Sequence, residues 1–398
     1  MKRRQFIITG LLGTGSILYT CGNTSASWSN NTTLRVGIIG TGNRGKGLQR
    51  FIKDIEGIEV VALADILPFR LEEAKALNPK AKTYSDYRQL LDDPHVDAVI
   101  ISTPFFNHHE IAIDALDADK HVYCEKTMVK GIANIQPVID KSNQKKDVVF
   151  QTGHQYHSSP LYKKVRDIIR SGYIGEVTAY HCQWNRRTDW RKSVPDPKFE
   201  RRINWRMYRE YSGGLTAELM SHQIDYINWV TESHPSRVSG FGGIDHYNDG
   251  RETFDNVHLL MEYPSGLDAT FTCTTTNSQN GYEIRILGSK ATIVLKMTMA
   301  EIFIEKPKNN SELGMVDGVS GATIEAWEKG EGVPIEAPGN NPTIDALKQF
   351  RDSVVDGKKV YSDIKTGANT SKCIQIALEA IHEKKIAYWG DYPELIFT

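Results

Sequence analysis

LRVGIIGTGNRGKGLQRFIKDIEGIEVVALAD, residues 34–65, carries the reading on which the fold rests. An apolar run from Leu34 to Ile39 leads straight into Gly40-Thr41-Gly42-Asn43-Arg44-Gly45, a G-x-G-x-x-G turn that opens a helical stretch. A second apolar run follows and ends at Asp65, 20 residues beyond Gly45. In a strand–turn–helix–strand unit each glycine has its own task. The first permits the tight turn, the second lets backbone approach a pyrophosphate, and the third lets helix and strand pack closely. The helix start then offers its N–H groups to the phosphates. A carboxylate closing the second strand would accept hydrogen bonds from the adenosine ribose and repel a 2′-phosphate. NAD is therefore favoured over NADP, with Arg44 and Arg70 weighing the other way.

The same alternation continues downstream. Apolar runs VDAVIIS, HVYC and DVVFQ are separated by helical stretches such as PFRLEEAKAL and HHEIAIDALDA. Wholly apolar strands between amphipathic helices predict a doubly wound parallel sheet covered on both faces, a Rossmann α/β domain over residues 34–153. After the helical LYKKVRDIIRSG the pattern changes to period two, in EVTAYHCQW, DNVHLLMEY, LDATFTCTTT, YEIRILGS and ATIVLKM. That alternation predicts a second, α+β domain over residues 154–398 with a large, mostly antiparallel sheet. The sheet's other face suits pairing with a second subunit, so a homo-oligomer, dimer or tetramer, is expected.

Composition bounds the partners. The chain has 398 residues, 40% hydrophobic and 24% charged, with 48 Lys+Arg against 49 Asp+Glu. A net charge of −1 gives no bulk attraction for nucleic acid or an anionic membrane, which leaves small molecules as the expected partners. Five cysteines at 21, 124, 182, 273 and 373 form no C-x-x-C pair, so neither a disulfide framework nor a zinc ribbon is indicated. His154, His157 and His181 lack zinc-site spacing, and no metal is expected.

Residues 1–33 read as an export signal and tether. Lys2-Arg3-Arg4-Gln5-Phe6-Ile7 precedes an apolar run that is too short to span a bilayer, which needs about 20 residues. The Arg3-Arg4 start resembles a twin-arginine (Tat) signal, and Leu18-Tyr19-Thr20-Cys21 resembles a lipoprotein box that would leave Cys21 lipidated. The expected location is the periplasm, where free NAD is scarce, so a tightly bound cofactor is expected.

Two further segments carry a family resemblance. IISTPFFNHHEIAIDALDADKHVYCEKTM and GGLTAELMSHQIDYINW resemble the two signatures of the Gfo/Idh/MocA oxidoreductases, in the right order. The resemblance implies an active site between the two domains. It places Thr103, Pro104, His108 and Glu125 near the cofactor, and Lys126 near the nicotinamide and the reacting carbon. Thr127 stands where the family usually has proline, which would loosen that loop. In the family's dehydrogenases a Lys, an Asp and a His form the catalytic set. Here these positions are Lys126, Glu218 and His222. The Glu either orients His222, four residues on, or contacts substrate, and Asp225 competes as the orienter. His108 is either close to the cofactor or a first-turn residue beside a capping box of Asn107 and Glu110. Gln183–Arg191, rich in aromatic and hydrogen-bonding groups, suggests a sugar platform. Tyr156, Arg187, Asp189, Trp205 and Arg206 are the substrate-binding candidates, with Asp225.

The expected activity is hydride transfer between a secondary alcohol of a sugar or glycoside and a nicotinamide cofactor. His222 would move the hydroxyl proton and Lys126 would stabilise the oxygen. Two alternatives stay open. One is a redox-neutral NAD-dependent glycosidase working through a 3-keto intermediate. The other is a non-catalytic NAD-binding sensor, which would need neither Lys126 nor His222.

Overall fold

The computed structural model describes residues 33–305, 332–339 and 341–397. The expected leader and Cys21 lie outside them. The chain enters through β1 (Leu34–Ile39), α1 (Asn43–Ile52), β2 (Ile58–Ala64), α2 (Pro68–Leu77), β3 (Lys82–Tyr84), α3 (Tyr87–Leu91), β4 (Ala98–Ile101), α4 (His108–Asp117), β5 (His121–Cys124), α5 (Ile135–Gln144) and β6 (Phe150–Thr152). The six strands form one sheet in the order β3-β2-β1-β4-β5-β6, parallel throughout. The order reverses between β1 and β4, and ligands of such sheets bind at the carboxyl ends of strands at that switch. Gly40 and Ser102 end the two strands there. Buried Val36, Ile38, Val99 and Ile101 show why these strands are apolar on both faces.

The second half runs α6 (Pro160–Arg170), β7 (Val177–Arg187), α7 (Glu200–Ile203), α8 (Ser221–Thr231), β8 (Arg237–Gly243), β9 (Asn256–Glu262), β10 (Asp268–Thr274), β11 (Thr276–Gly288), β12 (Ala291–Leu295), β13 (Ala300–Ile304), β14 (Val333–Pro334), α9 (Pro342–Val355), α10 (Ile364–Glu383) and β15 (Ala387–Tyr388). Among the described residues nine strands form the second sheet, in the order β14-β13-β12-β11-β7-β10-β9-β8-β15. Every pair is antiparallel except β7 with β10. Tyr180, Cys182 and Trp184 of β7 point into the core and meet α8 and α10 through Ile224, Ile227 and Ile374. Cys124, Cys182, Cys273 and Cys373 are buried free thiols, as their isolated positions suggest.

The sequence divides near residue 153, yet the chain crosses back. Ala346, Leu347, Phe350 and Val354 of α9 pack among Leu34, Val36, Ile38 and Leu48. The Phe350 ring meets Tyr123 edge-on at 5.7 Å, and Gln151 Nε2 donates to the Ala346 carbonyl at 2.9 Å. The α10 helix joins both cores, placing Ala368 in the first and Cys373, Ile374 and Ala377 in the second. The two domains are thus joined through α9 and α10 as well as through the link after β6, which fixes the walls of the cleft between them.

Candidate active site

The glycine turn has the form its spacing predicts. Gly40 sits at φ +90°, and a Cβ there would lie 2.7 Å from the Thr103 nitrogen. A Cβ on Gly45 would come within 2.2 Å of the Gly40 carbonyl oxygen, so only glycine lets α1 meet β1 this closely. A Cβ on Gly42 would meet nothing nearer than the Arg70 guanidinium, 3.5 Å away. That open side is the cradle a pyrophosphate needs. The first turn of α1 holds no acidic residue and no side chain caps it, so its N–H groups face the cleft unclaimed. These features fit a dinucleotide. Asp65 has a second task that the sequence did not reveal. Its carboxylate accepts from the Thr41 N–H at 2.8 Å, the Thr41 hydroxyl at 3.2 Å and the Leu67 N–H at 2.9 Å, tying the glycine loop to the end of β2. Thr41 itself is buried.

Lys126 leaves the end of β5 half-buried on the cleft wall, its ammonium donating to the Glu218 carbonyl at 2.7 Å. Burial lowers its pKa, with the charges of Glu218 and Glu125 opposing. Thr127 does not loosen this loop. It is buried, and its hydroxyl donates to the Ala217 carbonyl at 3.0 Å. His108 ties the loop from behind, with Nδ1 3.0 Å from the Thr127 carbonyl and Nε2 3.0 Å from the Thr103 carbonyl. It is buried at the cleft wall and joins the exit loops of β4 and β5. The capping box is absent, because Asn107 makes no side-chain cap and Glu110 pairs with Arg88 instead. Glu125 is buried and holds Arg44 of the glycine turn at 2.7 Å, and Arg44 also donates to Gln155 Oε1 at 3.1 Å.

His222 faces Lys126 from the second domain, on the first turn of α8. Its ring packs against Trp184 at 5.6 Å, Tyr156 at 5.3 Å and His154 at 6.2 Å between centroids. Burial, then the charges of Lys126, His154 and Arg44, push its pKa well below the usual imidazole range, so the ring is neutral. Nδ1 is buried without a partner, which leaves Nε2 as the nitrogen on the cleft side.

Three expectations around this ring need correcting. Glu218 does not orient His222, because its carboxylate accepts from Arg206 Nε at 2.8 Å, a stronger charge-assisted partner than a neutral ring. Asp225 touches neither His222 nor the cleft. It is buried, accepting from His157 Nε2 at 2.9 Å and the Thr370 hydroxyl at 3.1 Å. Tyr156 is buried behind His222, stacked on Tyr162 at 4.0 Å, rather than exposed to a ligand.

The expected platform segment does reach the cleft, through residues other than the two singled out from it. Trp184, Arg186, Thr188 and Trp190 line the cleft, while Arg187 and Asp189 do not. Successive strand residues face opposite sides, so Arg186 follows Trp184 to the cleft side while Arg187 turns away; beyond the end of β7 the alternation stops, and Trp190, Arg191 and Lys192 all line the cleft. Arg187 is exposed, and the Asp189 carboxylate is turned back onto the Arg191 N–H at 3.1 Å. Trp205 and Arg206 do line the cleft, with the guanidinium 4.2 Å above the indole ring. Lys192, Arg202 and Ile66 also line it and were not anticipated. Lys192 sits in a segment without periodicity and Arg202 in the four-residue α7, too short to show one, while Ile66 is an isolated exposed apolar residue beside Asp65.

Together these walls enclose a cavity of about 1020 Å³ that runs from Gly40, Asp65 and Arg70 past Lys126 to His222 and Trp205. Among the described residues nine basic ones line it against four acidic ones, in a chain whose net charge is −1. Such a cleft concentrates anions. Asn43, Arg44, Thr103, Pro104, His108 and Glu125 all lie on its wall.

Comparison with known proteins gives this geometry a context. Residues 34–154 match the family model described as an oxidoreductase family with an NAD-binding Rossmann fold. Residues 162–294 match the GFO/IDH/MocA C-terminal domain. An inositol 2-dehydrogenase of Salmonella typhimurium is 29% identical over 291 residues, covering 72% of this chain and 80% of that protein. A 2,7-anhydro-N-acetylneuraminate hydratase of Escherichia coli is 26% identical over 266 residues, covering 66% and 68%. Among solved structures, a levoglucosan dehydrogenase complexed with NADH has the same fold, with a TM-score of 0.72 at 18% identity over 92% of this chain and 100% of that one.

Proposed function

The chain belongs to the GFO/IDH/MocA family of NAD(P)-dependent oxidoreductases, and from that premise we propose that it oxidises a secondary alcohol of a sugar, polyol or glycoside with a resident NAD. The observation that carries this reading is the approach of Lys126 and His222 from opposite domains to one cavity that also contains the glycine turn. The cofactor supplies the hydride acceptor and donor. The protein's residues do the rest. The cleft-side Nε2 of neutral His222 takes the hydroxyl proton, because burial keeps the ring free to accept it. Lys126 spends one donor on the Glu218 carbonyl and has two left for the substrate oxygen as negative charge develops there. Trp184 and Trp205, largely buried, form an apolar wall of the cleft beside which a sugar ring would lie. Arg206, held by Glu218, presents guanidinium hydrogens to hydroxyl groups.

Export through a twin-arginine signal, a lipid on Cys21 and assembly through the outer face of the large sheet belong to the same proposal. Their support is the Arg3-Arg4 leader, the residues before Cys21, and the exposed Phe241 and Leu260 on β8 and β9. The first experiment is to purify the protein, denature it and identify the released nucleotide by mass spectrometry. Stoichiometric NAD is expected. No released dinucleotide, together with no binding of added NAD or NADP, would defeat the reading.

A second reading is a redox-neutral reaction, in which the hydride returns to the same substrate. It is favoured by the relative named as a hydratase, since hydration involves no net oxidation. Product analysis separates the two. Net oxidation leaves the nicotinamide reduced after one turnover, whereas a redox-neutral cycle alters many sugar molecules with the nicotinamide unchanged.

A further inference from the structure

Residues 188–203 leave β7 and cross the cleft, irregular up to residue 196 and then through a short 3-10 turn and α7, before reaching the buried Asn204 and Trp205. They are pinned at both ends. Arg191 Nε donates to Asp249 at 3.1 Å and Nη2 to the Asp249 carbonyl at 2.9 Å, and its other nitrogen pairs with Glu200. Asn204 closes the segment on itself, accepting from the Lys192 N–H at 2.7 Å and donating to the Lys192 carbonyl at 2.9 Å. On the far side Phe199 meets Phe69 of α2 edge-on at 5.8 Å, so the segment rests on the nucleotide-binding domain. Lys192 and Arg202 line the cleft with no carboxylate partner among the described residues, and neither has Arg70 beside Gly42. Burial, then the charges of Arg206, Arg70 and Lys46, hold Lys192 below the usual lysine range. Like charges crowded this way repel one another unless an anion lies between them.

We propose that residues 188–203 form a cationic strap over the dinucleotide, with Lys192 and Arg202 binding its diphosphate opposite the start of α1. The assignment rests on the cofactor reading above and gives it a cause, since a diphosphate held from both domains leaves slowly. The test is the release rate of bound NAD, measured by exchange with isotopically labelled NAD. Lys192→Ala with Arg202→Ala should speed release at least tenfold, since two charge-assisted contacts are lost and about 1.4 kcal/mol is tenfold. Added salt should speed wild-type release more than release from this variant. Lys198→Ala is the control on the same segment, because its ammonium pairs with Asp196 away from the cleft and release should not change. Bound NAD leaving the double variant at the wild-type rate overturns the strap alone. Wild-type protein that binds no NAD overturns the cofactor reading and the strap together.

A separate observation lies behind His222. Its Nδ1 and both ring nitrogens of His154 are buried without hydrogen-bond partners among the described residues. The two rings are 6.2 Å apart, and His154 Nδ1 lies 3.3 Å from Asp225 without hydrogen-bond alignment. Buried polar atoms in this state usually mark ordered water. We infer that a water bridges His222 Nδ1 and His154, making His154 a positioning residue that keeps the proton on Nδ1 and Nε2 free. A crystal structure should show that water bonded to both rings. Nitrogen NMR of the imidazoles should show the Nδ1–H form of His222, lost in His154→Phe and kept in His154→Gln, which retains an acceptor there. A dry gap, or the same His222 signature in His154→Phe, overturns the inference.

Discussion

Lys126 and His222 enter the cleft from different domains, so each can be replaced without displacing the other. Lys126→Met and His222→Gln should each slow nicotinamide reduction by sugar roughly 100-fold, the scale of one positioned acid, base or oxyanion donor. Mass spectrometry should find NAD still bound in both. An equal loss of cofactor would show that they hold the nucleotide instead of acting on substrate. Acid stability follows from the same buried rings. Burial lowers the His154 pKa from 6.5 to about 4, and His222 also titrates well below its usual range. Between these limits the unfolded chain binds more protons than the folded one, so stability is full above about pH 6.5 and declines as pH falls towards 4. Thermal melts across that window should show the decline, less steeply in His154→Phe. At this scale the residue types were legible but their partners were not. The four-residue spacing of Glu218 and His222 suggested a pair, yet Arg206, which no local pattern links to Glu218, claims the carboxylate.

Elements decide which side chains reach the cleft. On β7 Arg186 lines the cleft and Arg187 does not, so Arg186→Ala should raise KM for sugar several-fold while Arg187→Ala leaves kinetics unchanged. The reverse result would mean that the register at Trp184 is misplaced. The glycine turn gives a sharper case. In Gly45→Ala the new Cβ would lie 2.2 Å from the Gly40 carbonyl oxygen, where backbone cannot yield cheaply. That variant should lose bound NAD while its second domain keeps its fold, which nucleotide release and circular dichroism can follow. The strands of the first sheet were legible because they are apolar runs bounded by turns. The short β3, with two of its three residues exposed, gives no such signal, nor do the two-residue strands β14 and β15.

At the scale of the whole molecule, the large sheet buries one face under α8 and α10 and exposes the other. Phe241, 75% exposed, and Leu260, 46% exposed, lie on neighbouring strands of that outer face. Light scattering should therefore give a mass above one chain, reduced to one chain by Phe241→Asp with Leu260→Asp. A wild-type monomer would reject the sheet as an assembly surface. What the sequence determined by itself was local: the glycine turn, the apolar and alternating runs, and the order of the two domains. Each of these follows from the conformational needs of neighbouring residues and from the periods of helix and strand. What only the tertiary structure decided was pairing at long range. It sends α9 back into the first core, gives Arg206 to Glu218 and Arg44 to Glu125, places Asp225 behind His222, and brings the segment after β7 onto the cleft wall. Such partners lie up to hundreds of residues apart, and their choice depends on which surfaces the packed core brings together, information that no window of sequence contains.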